Sequence, residues 1–396
     1  MATQTALAAA DITQLGYVAL QNYLKNKPID QVAVQRPLLK KLMSGKKTWG
    51  GGKENIVEQI RTGYDNNFEW FGDTSLNTSA AVSFNTRDTV RQAYYPWNSA
   101  HDGFQFSEDY LIGNGILVGD SQSPRNSSAA GLVQLTNVFN ESMEVLRLGF
   151  EEILDQSLHL DGTITVGGGT STASKAINGL DFIVPLDSRT GTVGGIDRAT
   201  NSFWRSNYDT GSGLNTFGTT TPTGYAGSAL LAPMHVMWRA CQKNGGTPNF
   251  ILAGTDFIKS YEIAADAKES RYAVQPGTAQ APWNMDPSLE IKDGGTFTGL
   301  FFQGVPIIWD PVFEDVDAIS GASVSNGTNV GWSKRCYMLN LNHMHIRPIE
   351  GNDMIARKPP REHTSYNYYW GMTWRGSLTA NRCNCHGVIM ANGLAT

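Results

Sequence analysis

The sequence predicts a chain of mixed helix and sheet that reaches beyond its own core, and three observations carry this. Residues 54–97 read as two strand-like runs joined by a wide polar turn. Residues 127–161 carry one continuous apolar stripe at helical spacing. From Ala229 onward, helical stretches alternate with short apolar runs of strand type.

The two runs form a long arm. The outgoing strand is Glu54 to Thr62, and the turn is rich in Gly63, Asp65, Asn66, Asn67, Gly72, Asp73, Ser75 and Asn77. The return strand runs from about Ala80 to Tyr95 and stops at Pro96. It has β-favouring residues (Val82, Phe84, Thr86, Thr89, Val90, Tyr94, Tyr95), but Asn85, Arg87, Asp88, Arg91 and Gln92 break any clean apolar face. The turn also carries Tyr64, Phe68, Trp70 and Phe71. A lone two-stranded ribbon is marginal in water, and aromatics at its tip would be exposed. The arm therefore has too little apolar surface to fold alone, and a neighbouring subunit is the simplest support for it.

Composition agrees. Charged residues are 17% of the 396, against roughly 25% in typical soluble domains. With 10 Trp and 14 Tyr, the chain has the charge-poor, aromatic-rich character of interfaces. The formal net charge of −5 comes without a strongly basic patch or tail, which argues against a protein that grips nucleic acid through many phosphates. Four cysteines (Cys241, Cys336, Cys383, Cys385) are too few for a disulfide framework and fit a reducing compartment. Met1 to Ala10 lacks the pattern of a secretion signal, and no apolar run is long enough to span a membrane.

Before the arm, Ala6 to Asn26 reads as a short helix ended by Pro28, with Pro37 and Gly45 punctuating an extended limb. After the arm, Ser127 or Ser128 can cap the long helix. Its stripe is Leu132, Leu135, Phe139, Met143, Leu146, Phe150, Ile153 or Leu154, and Leu158; it stops at Asp161-Gly162. At 1.5 Å per residue such a spine is roughly 45 Å long. Glu141, Glu144, Glu151, Glu152 and Asp155 lie mostly off the stripe, on the expected solvent side.

Short strand signals follow at Thr163–Val166 and Gly179–Pro185, within a stretch rich in Gly, Ser and Thr. Leu230–Lys243 and Asp256–Lys268 read as helices flanking a buried strand, Asn249–Ala253. Phe297–Phe302 and Val305–Trp309 read as a hairpin around Gln303-Gly304. Strands close the chain near Cys336–Leu341, Tyr366–Leu378 and Val388–Met390.

No catalytic constellation stands out. Gly167-Gly168-Gly169 before Ser174-Lys175 lacks the Gly-Lys-Ser/Thr end of a phosphate loop, and Gly113-Asn114-Gly115 with Gly119 misses the dinucleotide spacing. His343 and His345 alternate in a strand-like run without a third ligand at diagnostic spacing, and Cys383-x-Cys385-His386 is a single knuckle. There is no Gly-x-Ser-x-Gly elbow, and Cys241 sits in an apolar helix where a free cysteine is ordinarily core. The reading is of a non-enzyme with no catalytic, cofactor or metal residues.

The order of parts resembles the tailed-bacteriophage major capsid proteins of the Hong Kong 97-type fold. Leu180-Asp181-Phe182-Ile183-Val184-Pro185 followed by Gly191 to Arg205 (GTVGGIDRATNSFWR) is similar to a segment of one branch of these coats. Pro248 to Ala253 with the helix after it, Phe301 to Asp310, Tyr337 to Asn340, Gly376-Ser377-Leu378 with Asn381-Arg382, and Gly387-Val388-Ile389 look like successive parts of the same family. Each is loose alone; their order makes the case.

The resemblance implies an α+β subunit with an N-terminal limb (1–45), an extended arm (46–115), and a peripheral domain with spine helix and Gly-rich insertion (116–228). An axial domain (229–345) and strands returning to the peripheral domain (346–396) complete it. It implies rings of five and six copies closing into an icosahedral shell around double-stranded DNA, held without sequence-specific contacts. The setting would be a virion capsid made in the host bacterial cytoplasm, with scaffolding, portal and decoration proteins as candidate partners. By the family pattern Tyr64, Phe68, Trp70 and Phe71 dock on a neighbouring subunit. Some relatives join an arm lysine to an asparagine of another subunit, but this chain has no lysine between Lys53 and Lys175, so non-covalent contacts are expected. A separate scaffolding protein, or none, is expected. A nanocompartment shell of the same fold and a glycan-binding phage tail or adhesion protein are the competing readings. The ten tryptophans are scattered through every part, which favours packing over a carbohydrate groove.

Overall fold

The structure, a computed structural model, describes residues 35–64, 68–70, 84, 89–107, 109, 129–163, 166, 176–217, 222–243, 245–266, 296–319, 324–325, 328–357 and 367–394. Side chains are not described at 129–139, 296–299, 324–325 and 328–329. The helix expected at 6–26, the cap at Ser127 or Ser128 and the glycine motifs near 113 and 167 lie outside these residues.

In chain order the elements are α1 (Pro37–Ser44), β1 (Asn55–Arg61), β2 (Val90–Pro96), β3 (Asn98–Ser107) and α2 (Ala129–His159). Then come α3 (Leu180–Ile183), β4 (Thr192–Val193), β5 (Ile196–Asp197), β6 (Asn207–Asp209), α4 (Leu231–Lys243), β7 (Phe250–Ala253) and α5 (Thr255–Asp266). The chain closes with β8 (Thr296–Phe302), β9 (Val305–Trp309), α6 (Val312–Asp317), β10 (Val324–Ser325), β11 (Thr328–Asn329), β12 (Arg335–Leu339), β13 (Met344–Pro348), β14 (Ile355–Arg357), β15 (Asn367–Ala380) and β16 (Gly387–Met390).

Two sheets organise the core. The larger has the order β6-β16-β12-β7-β9-β8, with β6/β16 and β7/β9 parallel and the other pairs antiparallel. Its central strands are apolar on both faces, as Phe-Ile-Leu-Ala in β7 and Gly-Val-Ile-Met in β16 require. Alternation divides these side chains between two cores. Ile251 and Ala253 meet Met234, Met237, Trp238 and Cys241 of α4 on one face. Phe250 and Leu252 join Phe313, Trp332 and Tyr337 on the other. The β8–β9 hairpin turns at Gln303 (φ 52°) and Gly304 (φ 81°), the two left-handed residues a tight hairpin turn needs.

In the second sheet β15 is central. It pairs with β3 over the whole of Asn98–Ser107 and with β13 and β14 on its other edge. Helix α2 packs against β3 and β15, and α1 packs against α2. Among the described side chains the α2 stripe follows the sequence from Leu146 on: Leu146, Phe150, Leu154 and Leu158 are buried, while Ile153 faces out.

Several expectations are corrected. Gly179–Pro185 is not a strand. Gly179 sits so close to the Leu158 and Leu160 carbonyls that a Cβ would lie 2.3 and 2.4 Å from them, and Leu180 and Ile183 bury as one helical turn, α3. The return strand starts at Val90 and includes Pro96; the described residues Phe84 and Thr89 are not in strand. His343 lies in the turn before β13, so it does not share a strand face with His345. Asp155 is fully buried rather than on a solvent side, and Glu151 and Glu152 face Arg36 at 3.9 and 3.7 Å, tying the start of α1 to the spine.

Candidate assembly site: the arm and its anchorage

The arm divides into a seated base and an exposed tip. At the base, β1 and β2 pair antiparallel from Asn55↔Pro96 to Arg61↔Val90. Period-two alternation points Ile56, Glu58 and Ile60 inward from β1, and Ala93 and Tyr95 inward from β2. All four apolar members belong to the main core. The arm base is therefore held by its own chain, which corrects the view that the ribbon lacks apolar support along its whole length.

Polar contacts fix the base in register. The buried Tyr95 hydroxyl donates to the Ala380 carbonyl at 2.8 Å. Glu58 pairs with Arg347 of β13 at 2.5 Å and accepts from the Thr379 hydroxyl at 3.2 Å. Burial raises the Tyr95 phenol well above its usual range, so it stays a neutral donor.

The underside of the base is a clamp built from 191–205. The β4–β5 turn is Gly194-Gly195, with φ of 60° and 76°. Gly194 accepts the Tyr94 amide at 2.9 Å, and a Cβ on Gly194 would stand 2.8 Å from the Ala93 methyl. Trp204 is buried and donates its indole N–H to the Val193 carbonyl at 2.9 Å, holding the turn in place. Arg91 reaches Asn201 at 2.9 Å. The family-like segment Gly191–Arg205 thus seats the arm. Sequence reasoning missed Glu58, Tyr95 and Arg347 as anchors; the inward alternation Ile56–Glu58–Ile60 is the signal that marks the first of them.

Beyond the base, Tyr64, Phe68 and Trp70 are 86%, 65% and 93% exposed. Phe68 and Trp70 form an edge-to-face pair with ring centres 5.3 Å apart. Phe71 lies outside the described residues. The tip thus presents exposed aromatic surface next to a seated base.

The four cysteines and His386 lie inside the fold. Cys241, Cys336, Cys383 and Cys385 are all buried free thiols. Burial pushes Cys241 up to about 12, which leaves it an unreactive thiol. His386 is buried and held near 3 by burial, so it is neutral, and its Nδ1 accepts the Asn340 amide at 3.1 Å. Among the described residues no cluster of three His, Cys, Asp or Glu side chains is placed to hold a metal ion, and no helix is long and apolar enough to cross a membrane.

No family model and no curated protein matches the sequence. Solved structures do. A chain of the cyanophage A-1(L) capsid asymmetric unit is 17% identical with a TM-score of 0.52, over 94% of this chain and 98% of that one. A chain of Microbacterium phage Oxtober96 is 9% identical with a TM-score of 0.49, over 98% and 100%. A chain of the capsid of an empty GTA particle is 11% identical with a TM-score of 0.47, over 98% and 99%. By the cyanophage match the chain has, nearly end to end, the fold of that capsid chain, a mixed helix-and-sheet fold as its sequence predicts.

Proposed function

We propose that this chain is the major capsid protein of a tailed bacteriophage and self-assembles, in rings of five and six, into an icosahedral shell around double-stranded DNA. One observation carries the reading: an arm whose base is locked into its own core presents an exposed aromatic tip. A rigid base aims the tip, and the tip has no use in an isolated subunit. Burying each large aromatic on a neighbour contributes about 1.5–3 kcal/mol, repeated around every ring. In this reading the six-stranded sheet with α4 and α5 is the axial part, and α2 with the β15 sheet the peripheral part. The fold likeness and the low content of charge support it. The chain acts by assembly rather than catalysis, with the virion capsid as its location.

Sedimentation of the purified protein tests this. Megadalton species are expected, and protein that stays monomeric or dimeric at all concentrations contradicts the reading. Particles from infected cells should hold nuclease-protected DNA. Enclosed enzyme instead of DNA would favour a nanocompartment shell.

A further inference from the structure

Beside the arm base lies an open groove of about 330 Å³, bounded by the end of β1, the 3-10 turn at Phe203-Trp204, His343 and the loop Asn381–Asn384. It has room for one or two large side chains. Arg61 and Arg382 line it, and none of its lining residues is acidic. His343, half-buried there, is pushed down by burial, with Arg382 and Lys47 adding to the shift against the opposing hydrogen bond to Asn381. The groove thus offers cations over an apolar floor at Ile60, Phe203 and Trp204.

The arm tip has the opposite character. From Gly63 to Thr86 the chain holds Asp65, Glu69 and Asp73 and no Lys or Arg, together with the exposed Tyr64, Phe68 and Trp70. It supplies negative charge, flat apolar surface, and O–H and N–H donors. Complementary potentials of this kind select a partner and its register. We propose that the groove at the arm base of one copy receives the acidic, aromatic arm tip of a second copy. This rests on the assembly reading and adds to it the receptor for the tip.

Charge exchange tests the pairing. Arg61 is exposed, so Arg61→Glu is expected to leave the free subunit folded, as circular dichroism of dissociated protein would verify. Its particles should come apart at a lower temperature than wild type, and adding Glu69→Arg should restore the loss. Copies bearing only Arg61→Cys, mixed with copies bearing only Glu69→Cys, should form a disulfide between the two kinds of chain inside particles. All native cysteines are buried and do not compete. Unchanged heat resistance of Arg61→Glu particles, or no restoration by Glu69→Arg, overturns the proposal. So does a disulfide that forms only when both new cysteines are in one chain. If wild-type protein makes no particles, the assembly reading fails and this inference with it.

Discussion

His159, at the last position of α2, donates to the Asp310 carboxylate at 2.9 Å in a fully buried site. Its other ring nitrogen donates to the Asp155 carbonyl at 2.7 Å. Both nitrogens face oxygen acceptors, so both carry hydrogen and the ring is an imidazolium. The Asp155 carboxylate accepts the Leu39 amide of α1 at 3.2 Å, and Asp310 accepts the Val312 amide at the start of α6 at 3.0 Å. One buried cluster therefore joins the limb helix, the spine and the end of β9.

This cluster predicts a stability that falls as pH rises. Burial alone would lower His159, but Asp310 and Asp155 outweigh it and raise the group from 6.5 to about 9. Burial raises Asp155 from 3.8 to about 7, against the pull of His159. Arg36, beside Asp155, and the peptide dipoles of Leu39 and Val312 are the other facing groups. Both folded values lie above the unfolded ones, so the folded chain binds the extra protons. The stabilisation is complete below the unfolded values and is lost as pH climbs through the folded ones. The melting temperature of the free subunit should fall from about pH 4, where the contribution of Asp155 begins to be lost, to about pH 9, where His159 gives up its proton. His159→Gln should cost about 3–5 kcal/mol by leaving buried carboxylates unpaired, and should flatten that pH dependence.

The clamp under the arm gives a second expectation. Gly194→Val demands a left-handed β-branched residue and pushes a side chain into Ala93. It should destabilise by about 1–3 kcal/mol and expose the arm base to proteolysis near residues 90–96. A cleavage pattern identical to wild type would show that the clamp does not hold the arm.

Trp70→Ala separates folding from assembly. The side chain is 93% exposed, so the free subunit should melt within about 0.5 kcal/mol of wild type. Its particles should lose heat resistance, by about 1.5–3 kcal/mol for each docked arm. Heat-resistant particles like the wild type's would remove Trp70 from the interface.

With no lysine between Lys53 and Lys175, the arm beyond its base has no amine to form an isopeptide. Boiled particles should run on a denaturing gel as one band at the monomer mass, 43.2 kDa. A ladder of multimers would refute this.

What was legible in the sequence depended on how locally each element is determined. The spine helix and the β8–β9 hairpin declare themselves through an unbroken stripe and through Gln303-Gly304. Helix α1 was signalled by Pro37 at its first turn and Gly45 after its end, but the run was short enough to pass as loop. Strand β3 was obscured because His101, Asp102 and Gly103 interrupt Ala100, Phe104 and Phe106; its pairing partner lies far along the chain in β15. Asp155 looked like its acidic neighbours because its burial depends on packing with α1 and on His159, whose own partner Asp310 is 151 positions further on. At the site, the tip aromatics were visible as residues out of place, whereas the clamp arises from contacts between segments distant in sequence.

A negative-stain electron micrograph of the purified protein tests the central claim most directly. The account predicts closed, angular particles of uniform size. A field of isolated subunits, or of open sheets and fibres that never close, would contradict it.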